Sequence, residues 1–124
     1  MLDSARLMAF VPTTDLDRAT AFYQDVLGLT LESTNPFARV FRSGDTMLRV
    51  TAVDILEPQP FTVLGWSVAD IDAHARELAA AGVAAERYPG VEQDEQGVWT
   101  TPDGSKILWF RDPDGNTLSL TEFG

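Results

Sequence analysis

The chain has 124 residues and a formal net charge of −10, with 44% hydrophobic and 23% charged residues. That length holds one ordinary domain or two small halves sharing a core, and the composition fits a folded globular protein rather than a disordered one. No apolar stretch is long enough to span a membrane, the charge would repel a nucleic-acid backbone, and the absence of cysteine excludes disulfides, thiolate metal sites and cysteine nucleophiles.

The N-terminus shows no basic start followed by a long apolar run, so no signal peptide is read there. With no cysteine to oxidise, a cytoplasmic location is the expectation. The negative charge would attract a cationic ligand, although solubility alone accounts for it.

In chain order, an apolar run at residues 6–11 predicts a first strand. A helix follows, with Leu16, Ala19, Tyr23, Val26 and Leu27 forming one apolar stripe. Thr14 with Asp17 three residues on resembles a capping box, and Gly28 sits where a left-handed residue ends a helix. Strands are predicted at residues 30–33, 38–42 and 46–53. The prolines of "EPQP" at residues 57–60 suit an extended linker.

The pattern then repeats. Residues 61–68 predict a strand, and Ile71, Ala75, Leu78 and Ala79 give a second helical stripe, with Asp70 as N-cap and Gly82 as terminator. Asp15, Leu16 and Asp17 match Asp70, Ile71 and Asp72 at an offset of 55, and the second segment is one residue shorter before its glycine. Strands are predicted at residues 84–88, 98–101, 106–111 and 116–122. "TPDG" and "DPDG" make near-identical hairpin turns between the last three. In the final strand Leu118 and Leu120 take one face, and Thr117, Ser119 and Thr121 the other.

The order is βαβββ twice. Neither half is long enough to bury a sound core alone. The expected fold is α+β: two βαβββ modules forming a curved, partly open mixed-sheet barrel, with the helices outside and a cleft inside. The helix stripes would take one face of each sheet, and the opposite face would line the cleft.

Three stretches, "VPTTDLDRATAFYQDVLGL", "SVADIDAHARELAAAGV" and "FRDPDGNTLSL", resemble the vicinal oxygen chelate superfamily. That group contains glyoxalase I, extradiol dioxygenases, fosfomycin-resistance enzymes and bleomycin-binding proteins. The resemblance implies one domain over residues 1–124, with modules at about 5–56 and 61–124. Metal enzymes of the group hold one divalent ion through a His on the first strand, a Glu, Gln or His on the fourth, a His on the fifth and a Glu on the eighth.

Carried onto this chain, those positions fall on Met8, near Arg49 or Thr51, on Val63 and on Ser119. None is a normal ligand for such an ion, and Arg49 would repel one. Residues 6–12 and 61–68 contain no His, Asp or Glu, so a shift of register does not restore the site. No metal or other cofactor is therefore expected.

No other catalytic set emerges. His74 is the only histidine and lies beside the apolar stripe of the second helix, so a Ser–His triad cannot be built. A carboxylate pair stays open among the 19 acids, most of which fall in turns, caps or the loop "GVEQDEQG" at residues 90–97. That loop reads as a solvated segment or a lid.

Trp109 is out of phase with Leu108 and Phe110, so it and Trp99 read as walls of the cleft or as ordinary core, while Trp66 reads as core under the second helix. With Met8, Phe10, Arg49 and Ser119 the two tryptophans make the candidate ligand-binding set. Arg49 would orient an anionic or carbonyl-bearing ligand, or else form a structural ion pair.

Two functions follow. One is a metal-free protein that binds a small molecule in an apolar, aromatic cleft, as bleomycin-binding members do. The other is a metal-dependent lyase, isomerase or dioxygenase. A homodimer is the expected assembly, with Phe22 on the flank of the first helix as a candidate contact.

Overall fold

A computed structural model describes all 124 residues and divides them into two compact units, Met1–Glu57 and Pro58–Gly124. The first runs β1 (Met8–Thr13), a helix, β2 (Thr30–Asn35), β3 (Ala38–Ser43) and β4 (Thr46–Ala52). The second runs β5 (Thr62–Ser67), α2 (Ile71–Ala80), β6 (Trp99–Thr100), β7 (Lys106–Arg111) and β8 (Thr117–Glu122). The fold is α+β, with the βαβββ order present twice.

Each unit has its own open, four-stranded mixed sheet. The orders are β1-β4-β3-β2 and β5-β8-β7-β6. In each, the first strand pairs parallel with the last, and the remaining pairs are antiparallel. The connection between the two parallel strands cannot be a tight turn, and in each unit it runs through the helix and two further strands.

The helices begin alike. Asp15 and Asp70 cap them, each accepting from the backbone N–H three residues on, Arg18 and Ala73. This corrects the expectation at Thr14, whose hydroxyl instead meets the Arg18 guanidinium. The buried Thr13 hydroxyl supports the entry, accepting from Asp15 N–H and donating to the Asp15 carbonyl.

The helices end differently. α2 closes on a Schellman motif: Val83 N–H bonds the Leu78 carbonyl, Gly82 N–H bonds the Ala79 carbonyl, and Gly82 has φ +82°. In the first unit α1 (Leu16–Thr20) widens into a π-helical stretch, Ala21–Val26, where Leu27 N–H reaches back five residues to the Phe22 carbonyl. The closing bond, Leu29 N–H to Tyr23, spans six residues where its counterpart spans five. The wider turn absorbs the extra residue between Asp15 and Gly28.

The burial of Phe22 corrects its reading. It is not a flanking contact surface but 7% exposed, edge-on to Tyr23 with ring centroids 5.3 Å apart. Tyr23 is fully buried and lies 6.0 Å from the Phe41 ring. Val11, Phe41, Leu48 and Val50 complete this core on the helix side of the first sheet.

In the second unit Leu108, Phe110, Leu118 and Leu120 are buried, and α2 contributes Ile71, Ala75 and Leu78. Glu122 ties the sheet to the start of α2 by accepting from Ile71 N–H, and Lys106 pairs with Asp72 at 3.7 Å. The strand expected at residues 84–88 does not form. Only Ala85 bridges Phe110, and Glu86 N–H bonds the Trp109 carbonyl. The chain then turns away, because Arg87 and Tyr88 bond the following loop instead.

Candidate functional site

β-alternation puts successive side chains on opposite faces. The faces turned away from the helices are where the candidate residues fall, and each unit carries half of them.

In the first unit Met8 and Phe10 project from β1, 45% and 58% exposed. Register pairs Phe10 with Arg49 and Met8 with Met47 on β4, and Val40 of β3 stands beside Arg49. Met47, also exposed, is an addition to the expected set, legible from its two-residue spacing to Arg49. On β3, Arg39 and Arg42 are engaged by Asp17 and Glu32 at 3.2 and 2.6 Å. No carboxylate pairs with Arg49, so its guanidinium keeps free donors on a mostly apolar face.

In the second unit register pairs Trp109 with Ser119, and Ser119 with Gly65 on β5. Trp99 pairs with Ile107, which places it diagonal to Trp109. The two indoles stack with centroids 6.0 Å apart and planes 21° from parallel. Tyr88 meets Trp109 edge-on at 5.3 Å. Tyr88 was missed because it was read as a strand residue; the turn away from β7 is what points its ring at the indole. All three rings are partly exposed, an arrangement that offers an aromatic surface to a ligand.

Ser119 is the hydroxyl of this face that stands directly opposite Trp109, between Thr117 and Thr121. A Cβ on Gly65 would come within 2.8 Å of its Oγ, so the glycine makes the room that the hydroxyl occupies. Val63 lies at an irregularity in the β5–β8 pairing and is exposed. His74 sits on the exposed side of α2, with Nδ1 3.9 Å from Glu77.

The loop at residues 90–97 is tied down. Arg87 donates to the Asp94 and Glu95 carbonyls, both at 2.7 Å, and the Gln93 amide bridges Tyr88 N–H, the Glu86 carbonyl and the Gly97 carbonyl. Asp94 Oδ1 accepts from Gln96 and Val98 N–H.

The sequence profile of the glyoxalase/bleomycin resistance protein/dioxygenase superfamily matches residues 5–120. The chain belongs to that superfamily. No curated protein matches the sequence. Among solved structures, lactoylglutathione lyase from Agrobacterium tumefaciens is 25% identical over 98% of this chain and 96% of its own, with a TM-score of 0.77. TnmS3, an antibiotic-binding protein from Streptomyces sp. CB03234, is 25% identical over 100% and 99%, with a TM-score of 0.76. FosX, a fosfomycin resistance protein from Listeria monocytogenes, shares the fold at 16% identity, covering 98% and 94% with a TM-score of 0.74.

The superfamily's metal chemistry needs imidazole and carboxylate donors. At the corresponding places this chain has a thioether, a guanidinium or threonine hydroxyl, an isopropyl group and a serine hydroxyl, at Met8, Arg49 or Thr51, Val63 and Ser119. No three His, Asp or Glu side chains gather to hold an ion. The residues present do not fit the metal.

Proposed function

We propose that this superfamily member binds a small, flat, largely apolar molecule without a metal ion, on the sheet faces turned away from its helices. The observation that carries the reading is the Trp99–Trp109 stack with Tyr88 against it, beside a serine where a metal enzyme keeps its carboxylate. Trp99 and Trp109 supply area at low entropic cost. Ser119 offers one hydrogen bond, and Arg49 holds a carbonyl or anionic group next to Met8 and Phe10. On this reading the two units act as one domain and two chains form a homodimer. The likeness to an antibiotic-binding protein supports it.

The likeness to a lyase favours a second reading, a metal-dependent enzyme of the glyoxalase kind. The donor set at Met8, Val63 and Ser119 speaks against it.

Tryptophan emission decides between them. Titration with a panel of aromatic and cationic compounds is expected to give saturable quenching that EDTA does not change. Trp109→Ala is expected to weaken that binding about tenfold. An unchanged emission across the panel removes the binding reading. A glyoxalase rate that depends on nickel or zinc and is lost in Ser119→Ala or Arg49→Ala installs the enzyme in its place. Light scattering after size exclusion tests the dimer.

A further inference from the structure

The second unit has a cavity on the other face of its sheet, under α2. It measures about 320 Å³, and Ala75, Leu78, Leu108 and Phe110 form its apolar walls, with Ala84 and Ala85 at the side. Folded interiors have few voids larger than a water molecule. This one is an open pocket rather than a sealed void, with Ala79, Ala84, Arg87 and Glu95 exposed around it. Its origin is local. Residues 84–88 fail to continue as a strand, and the side chains that reach into the gap from Ala75, Ala79, Ala84 and Ala85 are methyl groups.

The outer wall is held by bonds that do not depend on filling the space. Arg87 fixes the Asp94 and Glu95 carbonyls, and Gln93 bridges the base of the loop. Gly97, at φ +92°, lies so close to Ala85 that a Cβ there would stand 2.4 Å from the Ala85 Cβ. The pocket is therefore pre-formed rather than poised to collapse.

Its mouth is charged. Glu95 and Gln96 border the pocket and also an adjoining depression of about 410 Å³, which Asp72, Arg76 and Asp94 complete. Most of these charges are engaged. Asp72 faces Lys106, Asp94 accepts two backbone N–H groups, and the Arg87 guanidinium, still charged, is directed to the Asp94 and Glu95 carbonyls. Arg76 borders only the outer depression. Glu95 borders both, and its carboxylate has no hydrogen-bond or ion-pair partner. A chain of charge −10 also draws cations toward it.

We propose that this pocket is a second binding site, separate from the aromatic face, for a compact apolar molecule bearing an amine. The apolar body fills the space under α2, and the ammonium group meets Glu95 at the mouth.

Three probes of one skeleton test it: 1-adamantylamine, 1-adamantanol and 1-adamantanecarboxylate, titrated into the ¹⁵N-labelled full chain and followed by amide chemical shifts. The amine is expected to move the Ala75, Ala85, Leu108 and Phe110 signals and to bind more tightly than the alcohol, with the carboxylate weakest. Glu95→Gln, an exposed change that leaves the wall bonds intact, is expected to weaken the amine about threefold and leave the alcohol unchanged. Ala79→Leu, at the exposed rim of the pocket on α2, is expected to occupy it and abolish the shifts. Ala84→Leu does the same from the opposite wall if α2 is disturbed. The proposal is overturned by any of four results: shifts at Trp99, Trp109 and Ser119 with Ala75 and Ala85 unmoved, a carboxylate that binds as well as the amine, indifference to both leucine variants, or no shifts at millimolar amine.

Discussion

Tyr23 and Leu78 stand eight residues after the aspartates that cap their helices, yet they meet different surroundings. Tyr23 is fully enclosed, with Phe22 and Phe41 on two sides of its ring. Leu78 is 8% exposed and lines a cavity whose other contributors from α2 are Ala75 and Ala79. The start and stop signals of the two modules are nearly the same, but the side chains that fill the space between helix and sheet are not. Capping geometry is set by a few backbone-directed residues, whereas filling depends on every volume in the layer. A repeat can therefore reproduce a frame and leave one copy sealed and the other with room.

The largest test of that difference is a pair of truncations. Tyr23→Ala is expected to cost about 4 kcal/mol, because nothing nearby can move into the space. Leu78→Ala should cost about 2 kcal/mol, the low end for a buried leucine, because part of its surface already faces a void. Urea unfolding of both variants reads the contrast, and equal losses would show the two layers to be equally packed.

The two hairpin turns sharpen the comparison within one unit. Asp112 is 5% exposed and accepts from Asp114 N–H, Asn116 N–H and the Asn116 side chain. Asp112→Ala strands those donors and is expected to cost about 2 kcal/mol by the same urea assay. The helix caps come next. Asp15→Ala and Asp70→Ala should each cost about 1 kcal/mol in thermal unfolding, and alike, since the two caps share one geometry.

The smallest effect belongs to Asp103, an exposed residue that stands in the first turn where Asp114 stands in the second. A hydrogen bond from the Thr101 hydroxyl, helped by Ser105 N–H, holds its carboxyl below the ordinary value. A lowered folded-state pKa means that the turn's contribution is present above about pH 4 and lost as the pH falls through the folded value. Asp103→Asn is expected to remove a shallow acid-side slope in the urea midpoint and to change little at neutral pH.

Much of the frame was legible because it rests on local chemistry. Asp70 as cap, Gly28 and Gly82 as terminators and the two Asp-Gly turns each follow from what one or two residues can do. The facing of Trp109 and Ser119 followed from alternation alone. What escaped depends on competition between distant groups. Residues 84–88 follow a helix terminator where the first module has a strand, but only Tyr88 among them favours one, and Arg87 and Tyr88 find partners in the 93–95 loop rather than in β7. Arg49 reads like its neighbours Arg39 and Arg42, and only the choice of Asp17 and Glu32 by those two leaves it unpaired. Phe22 lies off the stripe that α-helical spacing draws, yet it is buried edge-on against Tyr23 in the stretch where the helix widens.

That widened turn has a meaning for how such a chain can change length. Both ends of the helical segment are pinned, by Asp15 at one and by Gly28 at the other. A helix that swells locally takes in one extra codon without displacing either anchor or shifting the register of β1 and β2. The stretch Ala21–Val26 is thus the place where a one-residue indel is expected to cost this scaffold least, and a deletion there returns the first helical segment to the length of the second.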